Sequence, residues 1–397
     1  MEHYDFDQVI DRSGTNAVKL EQMREQFDRS DLLGMWVADM DFATPPFVLE
    51  ALRRRLSHPI LGYSVVPDEF WPTVARWIQE HHGWKVETDW MRYIPGIVKG
   101  IGMAVNVFTS AGDKVIVQPP VYHPFRLVPE GNGRQVVWNP LRRCEDGTYE
   151  MDFDQLERVW DERCKLFILS NPHNPAGICW DADTLRRLAH FCAERNMVVV
   201  SDEIHCDMAL FGCRHTPFAS VSDEAAQQSI TFQAPSKTFN MAGLVSSYCV
   251  VPNDELRQKF FGWLAANEFD YPPTLPIVGT LAAYREGEEW RRQMVHYIQQ
   301  NVEFVEAFCA QRLPALVRPL RPQASFLVWL DCRGLQLSHA ALVDLFVNHA
   351  RLALNDGQMF GPGGEGFMRL NVGVPRSVLQ TAMQRVESAI RHVGILK

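Results

Sequence analysis

Residues 229–240, Ser-Ile-Thr-Phe-Gln-Ala-Pro-Ser-Lys-Thr-Phe-Asn, decide how the rest of the chain is read. Ile230, Thr231 and Phe232 make a short β-type run that breaks at Ala234-Pro235, because proline ends a strand and pushes its predecessor out of helical space. Ser236 and Lys237 follow at once. A lysine at the mouth of a buried strand is costly unless it has a task. The desolvation that makes it costly also lowers its pKa and turns the amine into a nucleophile able to form a Schiff base. Taken alone, the stretch fits a surface lysine past a strand end better than a reactive one, so the remaining chain has to decide.

Working outward, 397 residues suffice for one large domain and a smaller one. With 46% hydrophobic and 22% charged residues, the composition is that of a soluble globular protein. A net charge of −9 without basic runs argues against a nucleic-acid surface. The acidic start Met1-Glu-His-Tyr-Asp-Phe-Asp7 does not resemble a secretory leader, and no apolar run reaches spanning length. Nine scattered cysteines without a Cys-x-x-Cys pair suit reduced thiols in a cytoplasm. Cys206, beside His205, has no spaced partner set, so it reads as a buried structural thiol and no metal site is expected.

Between residues 90 and 250, continuous apolar runs recur at 114–118, 135–138, 165–170, 197–201, 229–232 and 245–251. Strands covered on both faces look like this. Helical stretches lie between several of them, clearest at 181–196, where Leu185, Leu188, Ala189 and Cys192 form one face. The alternation predicts an α/β domain with a mostly parallel sheet, whose ligands sit outside the strand C-terminal ends. After about residue 285 a long helix, a strand into Asp331, a strand at 367–372 and a last helix predict a smaller α+β domain, completed by the N-terminal arm. The expected division is 1–46 for the arm, 47–285 for the large domain and 286–397 for the small one.

The strand ends carry the chemistry. One run enters Ser170-Asn-Pro-His-Asn-Pro-Ala-Gly177, a second Ser201-Asp-Glu-Ile-His205, and a third Ser236-Lys237. Asn174, held between prolines, can aim its amide or simply make an Asx turn. Asp202, buried at its strand end, needs a cationic or protonated partner, which a structural salt bridge would also supply. Pro95-Gly96 opens a helix whose first N–H groups, at Ile97 and Val98, are free for an anion. Tyr122 offers a flat face at the same edge, or packs in the core. An anion cradle, a flat face, an amide, an acid and a lysine together match a phosphorylated, planar pyridine aldehyde.

On these motifs the chain resembles the fold-type I pyridoxal-phosphate enzymes, and within them the cystathionine β-lyases of the MalY/PatB type. The resemblance spans nearly the whole chain, including Met35-Trp-Val-Ala-Asp-Met-Asp-Phe42, Gly62-Tyr63 and Phe360-Gly-Pro-Gly-Gly-Glu-Gly-Phe-Met-Arg-Leu-Asn-Val-Gly373. It implies a seven-stranded-type sheet covered by helices and pyridoxal 5'-phosphate as cofactor. Lys237, Tyr122 and Asp202 would be catalytic: Lys237 as Schiff-base lysine, Asp202 on the pyridine nitrogen, Tyr122 stacked on the ring. Asn174 would bond the ring hydroxyl oxygen, with His205 beside it. Ile97, Val98 and Ser236 would hold the phosphate, and Tyr63 would reach in from the partner subunit of a homodimer. Arg369, with Asn174 and Ala38, would grip the substrate α-carboxylate, a pairing that suits arginine; an ordinary strand-surface charge is the other reading of Arg369.

Two departures stand out. Where many aminotransferases of this fold have tyrosine three residues after the aspartate, this chain has His205, as the lyase group does. Where many carry a phosphate-neutralising arginine eight residues after the lysine, it has Val245, for which Lys99 is a substitute. The expected activity is carbon–sulfur β-elimination on a small amino acid, giving pyruvate, ammonia and a thiol. Transamination or racemisation on the same cofactor, and a regulatory binding protein that retains it, are the alternatives.

Overall fold

The structure is a computed structural model that describes residues 3–396. Met1 and Glu2 of the expected arm and leader-free start, and Lys397 of the expected small domain, lie outside the described residues.

Seven strands form the large sheet: β1 (Met91–Ile94), β2 (Lys114–Val117), β3 (Gln135–Trp138), β4 (Cys164–Ser170), β5 (Val198–Asp202), β6 (Ser229–Gln233) and β7 (Ser247–Val250). Their spatial order is β1-β7-β6-β5-β4-β2-β3. β3 to β6 and β2 pair in parallel, whereas β7 is antiparallel to both of its neighbours. The continuous apolar runs have the predicted cause. Leu166, Ile168 and Val200 pack towards the helix Ile97–Phe108, and Phe167, Leu169 and Val199 pack on the other face with the helix Ala182–Glu194. That second helix starts where Asp181 accepts from the backbone N–H groups of Asp183 and Thr184, a side-chain cap.

A second, four-stranded antiparallel sheet contains β8 (Arg318–Leu320), β9 (Leu327–Asp331), β10 (Asn355–Asp356) and β11 (Phe367–Asn371), in the order β8-β9-β11-β10. The helices Glu288–Arg312 and Arg376–His392 pack against this part of the chain. The arm joins it through Leu33 and Gly34, which pair in parallel with Leu352 and Ala353. Strand β1 is a finding beyond the sequence expectation, as is the late start of β7. Val245 lies outside the strand in a left-handed turn at φ 56°, a costly conformation for a β-branched residue. No helix among the described residues is long and apolar enough to cross a membrane.

Candidate active site

Register puts the strand-end residues side by side. Ser170 pairs with Asp202 across β4 and β5, and Asp202 pairs with Phe232 across β5 and β6. Four residues beyond β6, the chain turns and brings Lys237 back over the same edge. A cavity of about 140 Å³ opens there, with Lys237, Asp202, His205 and Asn174 in its wall. Tyr122, Ala38, Ile97 and Val98 complete it.

Lys237 is half-buried, with its Nζ at the cavity wall donating to the carbonyl oxygen of Ala38 at 2.5 Å. Burial lowers its pKa to about 8, against the opposing pull of Asp39. Asp202 goes the other way: burial raises it to about 7, although the N–H of Ile204 donates to Oδ1 at 3.1 Å. Each group is costly in its charged form here, and each would be relieved by a bound partner, the amine by a carbonyl carbon and the carboxylate by a protonated ring nitrogen. His205 is pushed down to about 3 by burial and by the positive charges of Lys237 and Arg369, so its imidazole is neutral. Its Nδ1 is buried without a hydrogen-bond partner.

Arg369 projects from β11 and is 4% exposed. Nη1 donates to Oδ1 of Asn174 at 2.9 Å, and Nη2 donates to the carbonyl of Trp36 at 3.0 Å and to Oδ1 of Asn355 at 2.5 Å. Its Nε is buried and unpartnered, which leaves a donor for an incoming carboxylate. With Oδ1 of Asn174 occupied by Arg369, the amide NH2 of Asn174 is the group turned to other acceptors.

Ile97 and Val98 open their helix after Gly96, which sits at φ 106° and lets the chain turn into the first helical residue. No side chain caps this end, so its N–H groups remain an anion cradle. Ser236 is buried beside it in sequence with Lys237, and its hydroxyl has no hydrogen-bond partner among the described residues. Val245 lies by the cradle: its Cγ1 is 3.6 Å from where a Cβ on Gly96 would stand, and its carbonyl accepts from the Tyr93 hydroxyl at 3.2 Å. Lys99 is exposed and does not line the cavity, so its position does not support the substitute role. Tyr63 is 103% exposed and takes no part in the cavity of its own chain.

Asn355 carried no local sequence signal; with the carbonyl of Trp36 it holds Arg369. Ala38, expected at the substrate carboxylate, presents a backbone oxygen to Lys237. The arm that carries Ala38 is pinned by ion pairs: Arg12 to Asp39 at 2.7 Å and to Asp41 at 2.8 Å, and buried Lys19 to Asp41 at 2.9 Å. Only tertiary contact reveals these.

The orphaned Nδ1 of His205, the unpartnered Ser236 hydroxyl, the uncapped helix start and the opposed shifts of Lys237 and Asp202 fit pyridoxal phosphate as the group these residues would hold. Comparison with known proteins agrees. Residues 30–386 match the family described as aminotransferase class I and II. A protein of Bacillus subtilis (strain 168) named cystathionine beta-lyase PatB is 43% identical over 97% of this chain and 99% of its own length. Protein MalY of Escherichia coli (strain K12) is 32% identical over 98% and 100%. The crystal structure of cystalysin from Treponema denticola, which contains a pyridoxal 5'-phosphate cofactor, superposes with a TM-score of 0.94 at 32% identity, covering 99% of this chain and all of the other. With the family matched over most of its length and relatives matched end to end, the chain belongs to the aminotransferase class I and II family.

Proposed function

We propose that this chain is a pyridoxal-phosphate-dependent carbon–sulfur β-lyase that acts on amino acids of the cystathionine or cysteine-S-conjugate type. The observation that carries the reading is that Lys237 and Asp202 line one cavity whose wall residue Asn174 is hydrogen-bonded by Arg369. The relatives named as cystathionine β-lyases support it over the other reactions open to the same site.

When bound, the cofactor supplies an aldehyde that links to amines and a ring that accepts the electron pair of a broken bond at Cα. The chain supplies the rest. Arg369 orients the α-carboxylate through charge-assisted hydrogen bonds, with the Asn174 amide beside it. Lys237, near 8 by burial, is a base of useful strength and takes the α-proton. Asp202 would keep a proton on the ring nitrogen, neutral His205 and the Asn174 amide would meet the ring hydroxyl, Tyr122 would pack against the ring, and Ile97, Val98 and Ser236 would hold the phosphate. With the proton on Lys237, the Cβ–S bond breaks and the thiolate leaves with the electron pair. One water is consumed overall, and pyruvate, ammonium and a thiol are released.

The proposed assembly is a homodimer in which Tyr63 of one subunit reaches the other's phosphate. Its support is the exposure of a whole apolar strip, Ile60, Leu61, Tyr63 and Val65. A cytoplasmic setting is proposed with it, supported by nine free cysteines. The arm at 1–46, the large domain at 47–285 and the small domain at 286–397 are proposed as the working division.

The deciding experiment assays products over a panel of sulfur amino acids, after a yellow, borohydride-sensitive chromophore has been recorded. Pyruvate and thiol in equal amounts are expected. A product that depends on added keto acid, without pyruvate, would replace the lyase with an aminotransferase.

A further inference from the structure

Directly after His205, which lines the cofactor cavity, the chain enters the wall of a second cavity of about 380 Å³. It is lined by His82, Cys206, Asp207 and His215, among others. His82 is the last residue of the helix Phe70–His82, and Cys206 and Asp207 begin the single turn Cys206–Met208 after β5. One donor atom from each of His82, Cys206 and Asp207 lies within 4.8 Å of the others.

We propose that this cluster is a binding site for a borderline-soft divalent cation, of which Zn²⁺ is the fitting case. Thiolate, imidazole and carboxylate are the donor types zinc takes, and three protein ligands with one open position is a recurring zinc arrangement. Metal–donor distances of about 2.0 to 2.3 Å place tetrahedral donors roughly 3.3 to 3.7 Å apart, so a pair at the 4.8 Å limit closes by about an ångström, the His82–Asp207 pair opens slightly, and the ion replaces the hydrogen bonds that Asp207 Oδ1 accepts from His82 and from Trp77 Nε1. His82 Nε2 and Asp207 Oδ1 already stand 2.9 Å apart.

Electrostatics favour the arrangement. The C-terminal end of a helix, where His82 sits, carries negative partial charge. A carboxylate, a neutral imidazole and a thiolate are the forms that bind metal, so ion uptake would release the Cys206 thiol proton to solvent as the S–metal bond forms. Arg291 also lines the cavity and opposes a cation, but its charge is met by two hydrogen bonds to Glu288 at 2.8 and 2.9 Å.

A second observation points to a ligand independently. His215 has 1% side-chain exposure, and its Nε2 is 2.9 Å from the ionised Glu203 carboxylate. Its Nδ1 is buried without any partner. A histidine that gives one nitrogen to a carboxylate and leaves the other bare is oriented as metal-binding histidines are. The His82 and His215 ring centroids are 5.2 Å apart and both residues line the cavity, so His215 stands beside the three donors as a neighbour rather than as one of them. This site shares no ligand with the cofactor cavity, so it stands or falls apart from the lyase reading. A bound ion would clamp the turn directly after His205.

The test uses untagged holoenzyme, stripped with chelator, loaded with Zn²⁺, gel-filtered and analysed for metal. One zinc per chain is expected, with affinity lowered at least about tenfold in both Cys206→Ser and His82→Gln. No retained zinc, or equal retention by wild type and both variants, overturns the site. Should a variant fail to fold, Co²⁺ on the wild-type protein decides alone. Intense visible bands of four-coordinate cobalt with a thiolate charge-transfer band support the assignment, and a pale six-coordinate spectrum without that band refutes it.

Discussion

The guanidinium Nη1 of Arg369 donates to Oδ1 of Asn174 across 2.9 Å, joining β11 of the small sheet to the loop that leaves β4 of the large one. The contact presets the arginine proposed to bind the carboxylate and, through it, the amide proposed to lie beside the cofactor ring. Arg369→Lys removes the planar fork and leaves Asn174 and Asn355 without their donor. A hydrogen bond to a charged group contributes roughly 1.5–3 kcal/mol, so KM for the amino acid should rise roughly 10- to 100-fold. Steady-state kinetics check this; an unchanged KM would place the carboxylate elsewhere.

On the proposed role, Lys237→Ala would remove the base and the covalent link to the cofactor. Turnover should fall by at least about a thousandfold. The variant should keep its circular dichroism and its melting transition, and any cofactor it retains should no longer be fixed by borohydride. Normal pyruvate release from this variant would remove Lys237 from the proposed role.

Capture of cofactor by the apoenzyme should report the lysine's lowered pKa. Only the neutral amine attacks an aldehyde, so the reconstitution rate should climb with pH up to about 8 and then level off. Below about 7 the climb should be steeper, because Asp202 also takes up a proton there. An ordinary lysine at 10.5 would show no plateau near 8. Stopped-flow absorbance over a pH series distinguishes the two.

Asp202 has a folded pKa raised above its ordinary 3.8, so it favours the fold when protonated and loses that advantage as pH rises towards about 7. Above 7 the apoenzyme carries the full cost of a buried carboxylate, on the order of 2–4 kcal/mol. Asp202→Asn should therefore melt higher than wild type as apoenzyme at pH 8 and match it near pH 4. With cofactor present the order should reverse, since the variant cannot pair with a protonated ring nitrogen. Apo and holo melting curves at the two pH values test both signs.

Tyr63, fully exposed on its own chain, should work in the partner's site. A Tyr63→Ala homodimer should bind cofactor weakly, and a Lys237→Ala homodimer should be inactive. Refolding the two variants together creates one site with both residues intact, so activity should reappear. No recovery in a confirmed mixed dimer would assign Tyr63 to another task.

Much of the scaffold was legible in the amino-acid sequence, because its causes are local. Continuous apolar runs mark strands buried on both faces, and Pro235, Pro172 and Pro95-Gly96 mark where they stop. Lys237, Asn174, Ile97 and Val98 after those stops, and Asp202 at the end of β5, could be named because a parallel sheet gathers its C-terminal ends on one edge. Tertiary structure decided what no local pattern encodes. Lys237 meets the carbonyl of Ala38 from 199 residues away, and Arg369 meets Asn174 from 195 away. Asn355 and Trp36 hold that arginine, Val245 turns left-handed beside the anion cradle, and Lys99 faces solvent. Cys206, read from the sequence as a lone thiol, gains His82 at a helix end 124 positions earlier. Such meetings depend on which surfaces pack together, and the free energy that selects them belongs to the whole core rather than to any one stretch.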